Sequence, residues 1–171
     1  MCRALDGTGA NRAEITNASL PVPRGFTVTP EACTRYYDDG RRIAPESQDE
    51  IFEYMEKLEQ ITEKKFGDKN NPLLVSVRSG SRASMPGMME TILNLGLNDV
   101  SVEGLATKTK NPRFAYDAYR RFIQMYSTTA MGLSKEPMEE MLADLKKKLG
   151  VKMDPEIPAE LLLQIGQHFL H

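Results

Sequence analysis

Arg78 closes the short apolar run "LLVSVR" and is followed at once by Ser79, Gly80 and Ser81, then by Ser84 and Gly87. A guanidinium fork holds two phosphate oxygens at once, glycines let a backbone come close to a ligand, and serine hydroxyls donate hydrogen bonds. A second stretch, "DGTGANRAEITNASLPVP", places Gly7, Thr8 and Gly9 ahead of a helical pattern. A Gly-x-Gly turn at a helix start offers free N–H groups and the positive end of the helix dipole to a phosphate. Taken alone, Gly7 and Gly9 read equally well as a flexible helix entry. With the Arg78 stretch they read as the two walls of a polyphosphate pocket.

The elements that must carry these residues are mixed in type, with strands early and helices late. "PRGFTVTPEACTRYYDDG" predicts a strand over Phe26 to Val28, then a helix with Thr29 as N-cap, Pro30 at its first position and Gly40 as its stop. In "PESQDEIFEYMEKLEQITEKKFG" a capping box from Ser47 to Glu50 opens an amphipathic helix striped by Ile51, Met55, Leu58 and Ile61. "NPLLVSV" predicts a buried strand that delivers Arg78 at its end, and the residues after it read as a long loop. A loop of that length without an apolar period is more often functional or disordered than a plain connector.

Three helical patterns follow. In "NPRFAYDAYRRFIQMY" one face carries Phe114, Ala118, Phe122, Ile123 and Tyr126, with Arg113, Arg120 and Arg121 mostly on the other. This mixture matches either a nucleic-acid surface or a core stripe with a solvated edge, and a formal charge of −2 supports the second. "KEPMEEMLADLKKKLG" stripes Met138, Met141, Leu142, Leu145 and Leu149 and ends at Gly150, while "PAELLLQIGQHFLH" aligns Leu161, Leu162, Ile165 and Phe169. That last apolar face reaches the final residues without a cap, so the chain is expected to be part of a longer polypeptide.

The 171 residues, 40% hydrophobic and 27% charged, have an ordinary globular composition. The charge balance attracts neither nucleic acid nor anionic lipid, so phosphate binding has to be local. Cys2 and Cys33 lack metal-site spacing and read as reduced thiols. No apolar run approaches the roughly 20 residues of a membrane helix and no signal-peptide core is present, which makes cytoplasm or an organelle matrix the default compartment. His168 and His171 read as surface residues. Asp38 with Asp39, and Glu139 with Glu140, read as solvated charges and not as acid-base or metal pairs.

"LLVSVRSGSRASMPGMMETILNLGLND", preceded by "LPVPRGFTVTPEAC" and followed by "VEGLATKTKNPRFAYDAYRRFIQMY", resembles the N-terminal nucleotide-binding region of the pyruvate, phosphate dikinase family from about Leu5 to about Tyr126. The resemblance implies an ATP-grasp-like α+β fold, with an incomplete nucleotide-binding subdomain over residues 1–100 and a helical subdomain over 101–171. It implies ATP and magnesium as cofactors, and an enzyme that phosphorylates a histidine on a separate swivelling domain, releases AMP and pyrophosphate, and forms phosphoenolpyruvate from pyruvate. Arg78 would contact the polyphosphate and offset charge on the transferred group, and the turn from Ser84 through Gly87 to Met89 would close around the nucleotide. The expected partners are the remaining domains of the parent enzyme and, for the full-length protein, a second copy. No motif of the family corresponds to His168 or His171, and the magnesium-binding carboxylates and phosphorylated histidine belong to later regions.

One departure stands out. The family's glycine-glycine-lysine-glycine is Asp6, Gly7, Thr8 and Gly9 here. Losing a charged phosphate contact costs about 1.5 to 3 kcal/mol, or about one to two decades in affinity. A second reading is therefore a catalytically inactive interaction module acting through the helical part.

Overall fold

The computed structural model describes residues 24–79 and 90–168. They are mostly helical with small sheets, and they fall into two compact units, residues 24–63 with 79, and residues 64–78 with 90–168.

The first unit holds two helices. α1 spans Pro30–Asp38 and α2 spans Pro45–Thr62, each with proline in its first turn, where the missing N–H is no loss and the fixed φ suits a helix. Thr29 does occupy the N-cap of α1, but its hydroxyl makes no capping bond. α2 starts earlier than the Ser47–Glu50 capping box suggested. Pro45 nucleates it with Ala44 at the N-cap, so Ser47 already lies inside the first turn. Along α2, Ile51, Met55 and Leu58 turn inward as the periodicity requires, whereas Ile61 is exposed. The strand expected at Phe26 to Val28 is absent. Those residues have no strand partner among the described residues, and Phe26 instead packs its ring 5.7 Å from that of Tyr54.

The second unit is built around a helical core. β1 (Lys65–Phe66) pairs in parallel with β2 (Pro72–Leu73), and β3 (Val75–Arg78) pairs antiparallel with β4 (Thr91–Leu95). The single buried strand expected from "NPLLVSV" is thus two strands in two sheets that break at Leu74. Leu73 is buried, but β3 beyond Val75 is exposed because its two-stranded sheet is not covered on both faces. β4 lies in the stretch read as loop, where "TILNL" carries the β-branched, apolar composition of a strand.

Helices α3 (Ser101–Thr109), α4 (Pro112–Thr129), α5 (Glu136–Leu149) and α6 (Ala159–His168) follow, with a 3-10 turn at Asp154–Glu156 between the last two. α4 is central and packs on α3, α6 and β4. Val102, Ala106, Ala115, Tyr119, Ile123 and Met138 form the core with Leu97, and Leu162 of α6 is fully buried. Each of the larger aliphatic side chains among them, Val102, Ile123 and Leu162, contributes about 1.5 to 3 kcal/mol on removal from water. The buried face of α4 runs through Ala115, Tyr119, Ile123 and Ser127, so Phe114 and Tyr126, expected on it, are half exposed. α5 follows its predicted stripe through Met138, Met141, Leu142 and Leu145, and ends at Gly150, though Leu149 is exposed.

Among the described residues, two glycines permit the closest approaches. Gly96, just past β4, has φ +113°, and a Cβ there would stand 2.5 Å from the Leu73 carbonyl oxygen and against the Phe66 ring. Gly104 of α3 lies so close to the Lys69 carbonyl that a Cβ would overlap it. The obstacle is backbone, held by an Asx-type turn in which Asp68 accepts hydrogen bonds from the N–H groups of Asn70 and Asn71, both 2.8 Å. Gly104→Ala is therefore expected to cost about 2 kcal/mol or more, the scale of an overpacked core, read as a lower urea midpoint with an unchanged slope.

Candidate functional site

Arg78 is the last residue of β3 and is exposed there, as its position at the end of an apolar run required. Its partner across the ladder is Thr91, the first residue of β4, and Val77 faces Ile92. One pair further in, Val75 faces Leu95, so β4 uses one residue more than β3 over the same span. The extra residue forms a bulge around Asn94, whose φ of +60° lies in the left-handed region that asparagine tolerates better than branched residues. Without that bulge Arg78 would face Ile92. The bulge therefore sets a polar pair, Arg78 with Thr91, at the end of the hairpin where the chain passes from β3 to β4.

The root of the hairpin is tied to the helices by side-chain bonds. Asn98 accepts hydrogen bonds from the N–H groups of Val100 (2.9 Å) and Ser101 (2.7 Å), satisfying donors at the start of α3. The fully buried Ser101 hydroxyl donates to the Gly96 carbonyl at 2.9 Å and accepts from the Asn98 N–H at 2.8 Å. Asp99 accepts from the Tyr119 hydroxyl of α4 (3.3 Å) and from Gln167 Nε2 of α6 (3.1 Å). Burial, then the neighbouring Asp99 charge, pushes the Tyr119 phenol up to about 12, so it remains a donor throughout the physiological range.

Of the other residues expected to touch a nucleotide, Gly7, Thr8, Gly9, Ser84, Gly87 and Met89 lie outside the described residues, as do Phe169, His171 and Cys2. Cys33 is a free, exposed thiol and His168 is exposed. Asp39 pairs with Arg35 and Glu139 with Lys135 on exposed helix surfaces, as solvated charges do. Among the described residues no three His, Cys, Asp or Glu side chains are grouped to hold a metal ion.

Of the arginines of α4, Arg121 lies on the solvated edge expected, whereas Arg120 and, in part, Arg113 do not. Arg120 is buried, its guanidinium donating to Asp117 at 2.8 and 3.2 Å and to Gln124 at 3.3 Å, with Asp154 of the 3-10 turn 3.7 Å away. Arg121 pairs with Asp117 at 2.9 Å, Lys146 of α5 with Asp154 at 2.9 Å, and Arg113 donates to the Asp154 carbonyl. The ridge that could have passed for a nucleic-acid surface is a charge network joining α4, α5 and the 3-10 turn. Sequence reading missed it because neither the period of the helix nor its composition says that Asp154, 34 residues after Arg120 in the chain numbering, folds back onto it.

No protein-family model matches the chain. It is 56% identical over 169 residues to pyruvate, phosphate dikinase of Clostridium symbiosum, 51% over 155 residues to that of Rhizobium meliloti (strain 1021), and 46% over 165 residues to the chloroplastic pyruvate, phosphate dikinase of Mesembryanthemum crystallinum. These matches take in 91–99% of the chain but only 17–19% of each relative, so the chain spans less than a fifth of their length.

The Lys146 hydrogen bond, with the Lys146, Arg120 and Arg121 charges, holds the Asp154 carboxyl below its ordinary value of 3.8 despite partial burial. A carboxylate so depressed contributes stability above its unfolded value and loses it as pH falls through the folded one. Asp154→Asn is expected to be less stable than the parent by about 1 kcal/mol from pH 5 to 7, and the gap should close as the pH drops below about 3.8, as followed by denaturant melts at each pH.

Proposed function

Because the chain belongs by sequence, over nearly its whole length, with the pyruvate, phosphate dikinases, we propose that it supplies part of the ATP-binding region of such an enzyme, with an ATP-grasp-like arrangement in its first hundred residues. The parent activity in this reading converts ATP, phosphate and pyruvate to AMP, pyrophosphate and phosphoenolpyruvate through a phosphohistidine carried elsewhere. One observation carries it most directly: Arg78 is exposed at the end of the β3–β4 hairpin, whereas Arg113, Arg120 and Arg121 each pair with an oxygen of this chain.

At that position the Arg78 guanidinium can take two phosphate oxygens in a fork, and its permanent charge offsets negative charge on the phosphoryl group during transfer. The hairpin holds the residue through backbone pairing and not through a flexible tether, so less ordering is needed on binding. Magnesium, when bound, screens polyphosphate charge; the described residues group no carboxylates for it, so its ligands would come from other regions of the enzyme. The remaining residues of the nucleotide contact would be Gly7, Thr8, Gly9, Ser84, Gly87 and Met89. The other domains of the enzyme are the partners this reading requires, a homodimer of the full-length protein is its expected assembly, and phosphotransfer by this chain alone is not expected.

Thr8 in place of the family lysine favours the second reading, an inactive interaction module working through the helices of residues 101–168. Calorimetric titration of ATP into the chain separates the two. Under the nucleotide reading Arg78→Ala abolishes measurable binding and Thr8→Lys tightens it by about one to two decades. No heat from any variant, with each showing a folded circular-dichroism spectrum, would sink that reading in favour of the module.

A further inference from the structure

Resting on the nucleotide reading above, we propose that Thr91 is a second phosphate-contacting residue, its hydroxyl donating to the same polyphosphate that Arg78 grips. Arg78 and Thr91 are directly opposed in an antiparallel pair, and opposed residues put their side chains on the same face with Cβ atoms about 4.5 to 5.5 Å apart. A phosphate within reach of the Arg78 fork at that end of the hairpin is thus also within reach of a side chain at position 91.

The bulge gives this pairing its meaning. Counting inward from Val75 and Leu95 without an extra residue would set Ile92, an apolar side chain, against Arg78. With the extra residue at the Asn94 bulge, the hydroxyl residue moves opposite the arginine and Ile92 opposite Val77. A left-handed non-glycine residue within a strand costs roughly 1 kcal/mol, and bulges collect next to sites where a side chain has to be re-aimed. The expenditure is explained if the polar pair is what the register serves.

The chemistry suits a triphosphate. Arginine donates from a planar fork and carries charge, while threonine supplies one compact donor whose β-branched carbon is stiff in a strand. A charged fork and a neutral hydroxyl on one face grip two oxygens of neighbouring phosphoryl groups with less repulsion between the gripping groups than two cations would have. Thr91 is half-buried and Arg78 exposed, so the hydroxyl would sit at the floor of the contact.

The test titrates ATP, tripolyphosphate and adenosine into the chain and into Thr91→Val, Thr91→Ser and Arg78→Ala. Valine keeps the branched shape and strand preference and removes only the hydroxyl; serine keeps the hydroxyl. The inference expects Thr91→Val to weaken ATP and tripolyphosphate by about ten-fold alike, Thr91→Ser to stay within about two-fold, and adenosine binding to be unaffected. Thermal melts confirm that each variant is folded. If Arg78→Ala loses ATP while Thr91→Val binds like the parent, the Thr91 assignment is wrong and the nucleotide reading stands. If Arg78→Ala binds as the parent does, or the parent binds neither ATP nor tripolyphosphate, the nucleotide reading falls and takes Thr91 with it.

Discussion

A guanidinium cannot shed its charge, so burying Arg120 between helices obliges the surrounding chain to supply oxygen acceptors. Asp117 supplies them from one turn earlier in α4, and Asp154 is brought alongside from the 3-10 turn. That demand fixes where the segment after α5 must run, and α6 then follows directly from it. Gly166 of α6 sits where a Cβ would be 3.7 Å from the Arg120 Cα and 3.2 Å from Ile123, so the two helices approach closely at the same place. Removing Asp117, the nearer and more buried of the two carboxylates, falls in the class of buried-pair losses that typically cost about 3 to 5 kcal/mol, more than a single methyl group in the core contributes. The apolar core around Val102, Tyr119 and Leu162 supplies cohesion, and the ion cluster restricts which packing of those helices is accepted.

From that helical block the hairpin extends by short links. Asp99 receives one hydrogen bond from α4 and one from α6, and Ser101 fastens the backbone at Gly96. A two-stranded ribbon alone is marginal in water, so β3 and β4 depend on this attachment for a defined direction. Arg78 acquires a fixed place through the chain of dependence that runs from the core, through Asp99 and Gly96, to the bulge at Asn94.

Helix existence was legible in the sequence wherever an apolar period ran, as along α2, α4 and α5, and at α1 from Pro30, and Arg78 at a strand end was legible from the branched run before it. What escaped had a common physical cause. Burial of Arg120, exposure of Phe114 and the break at Leu74 depend on partners distant in the chain, and the period of a helix or strand does not record them. Thr91–Leu95 carried a strand composition, but the glycine- and serine-rich residues before it masked the signal. The identity of the family was legible because the arginine-serine-glycine and methionine-proline-glycine motifs stand at a specific spacing, and the relatives match across nearly the full chain. The capping box at Ser47 failed for a local reason: Pro45 is a stronger start signal than serine two residues later.

The placement of α4 also bears on how the second unit assembles. Its neighbours β4 and α3 lie just before it in the chain, but α6, which it packs on most extensively, arrives only after α5 and the 3-10 turn. Bringing α6 back onto α4 closes a long loop, and that chain entropy has to be surrendered before the contacts between the two helices form. The Asp99 anchor of the ribbon takes one hydrogen bond from α4 and one from α6, so it is complete only when that loop has closed.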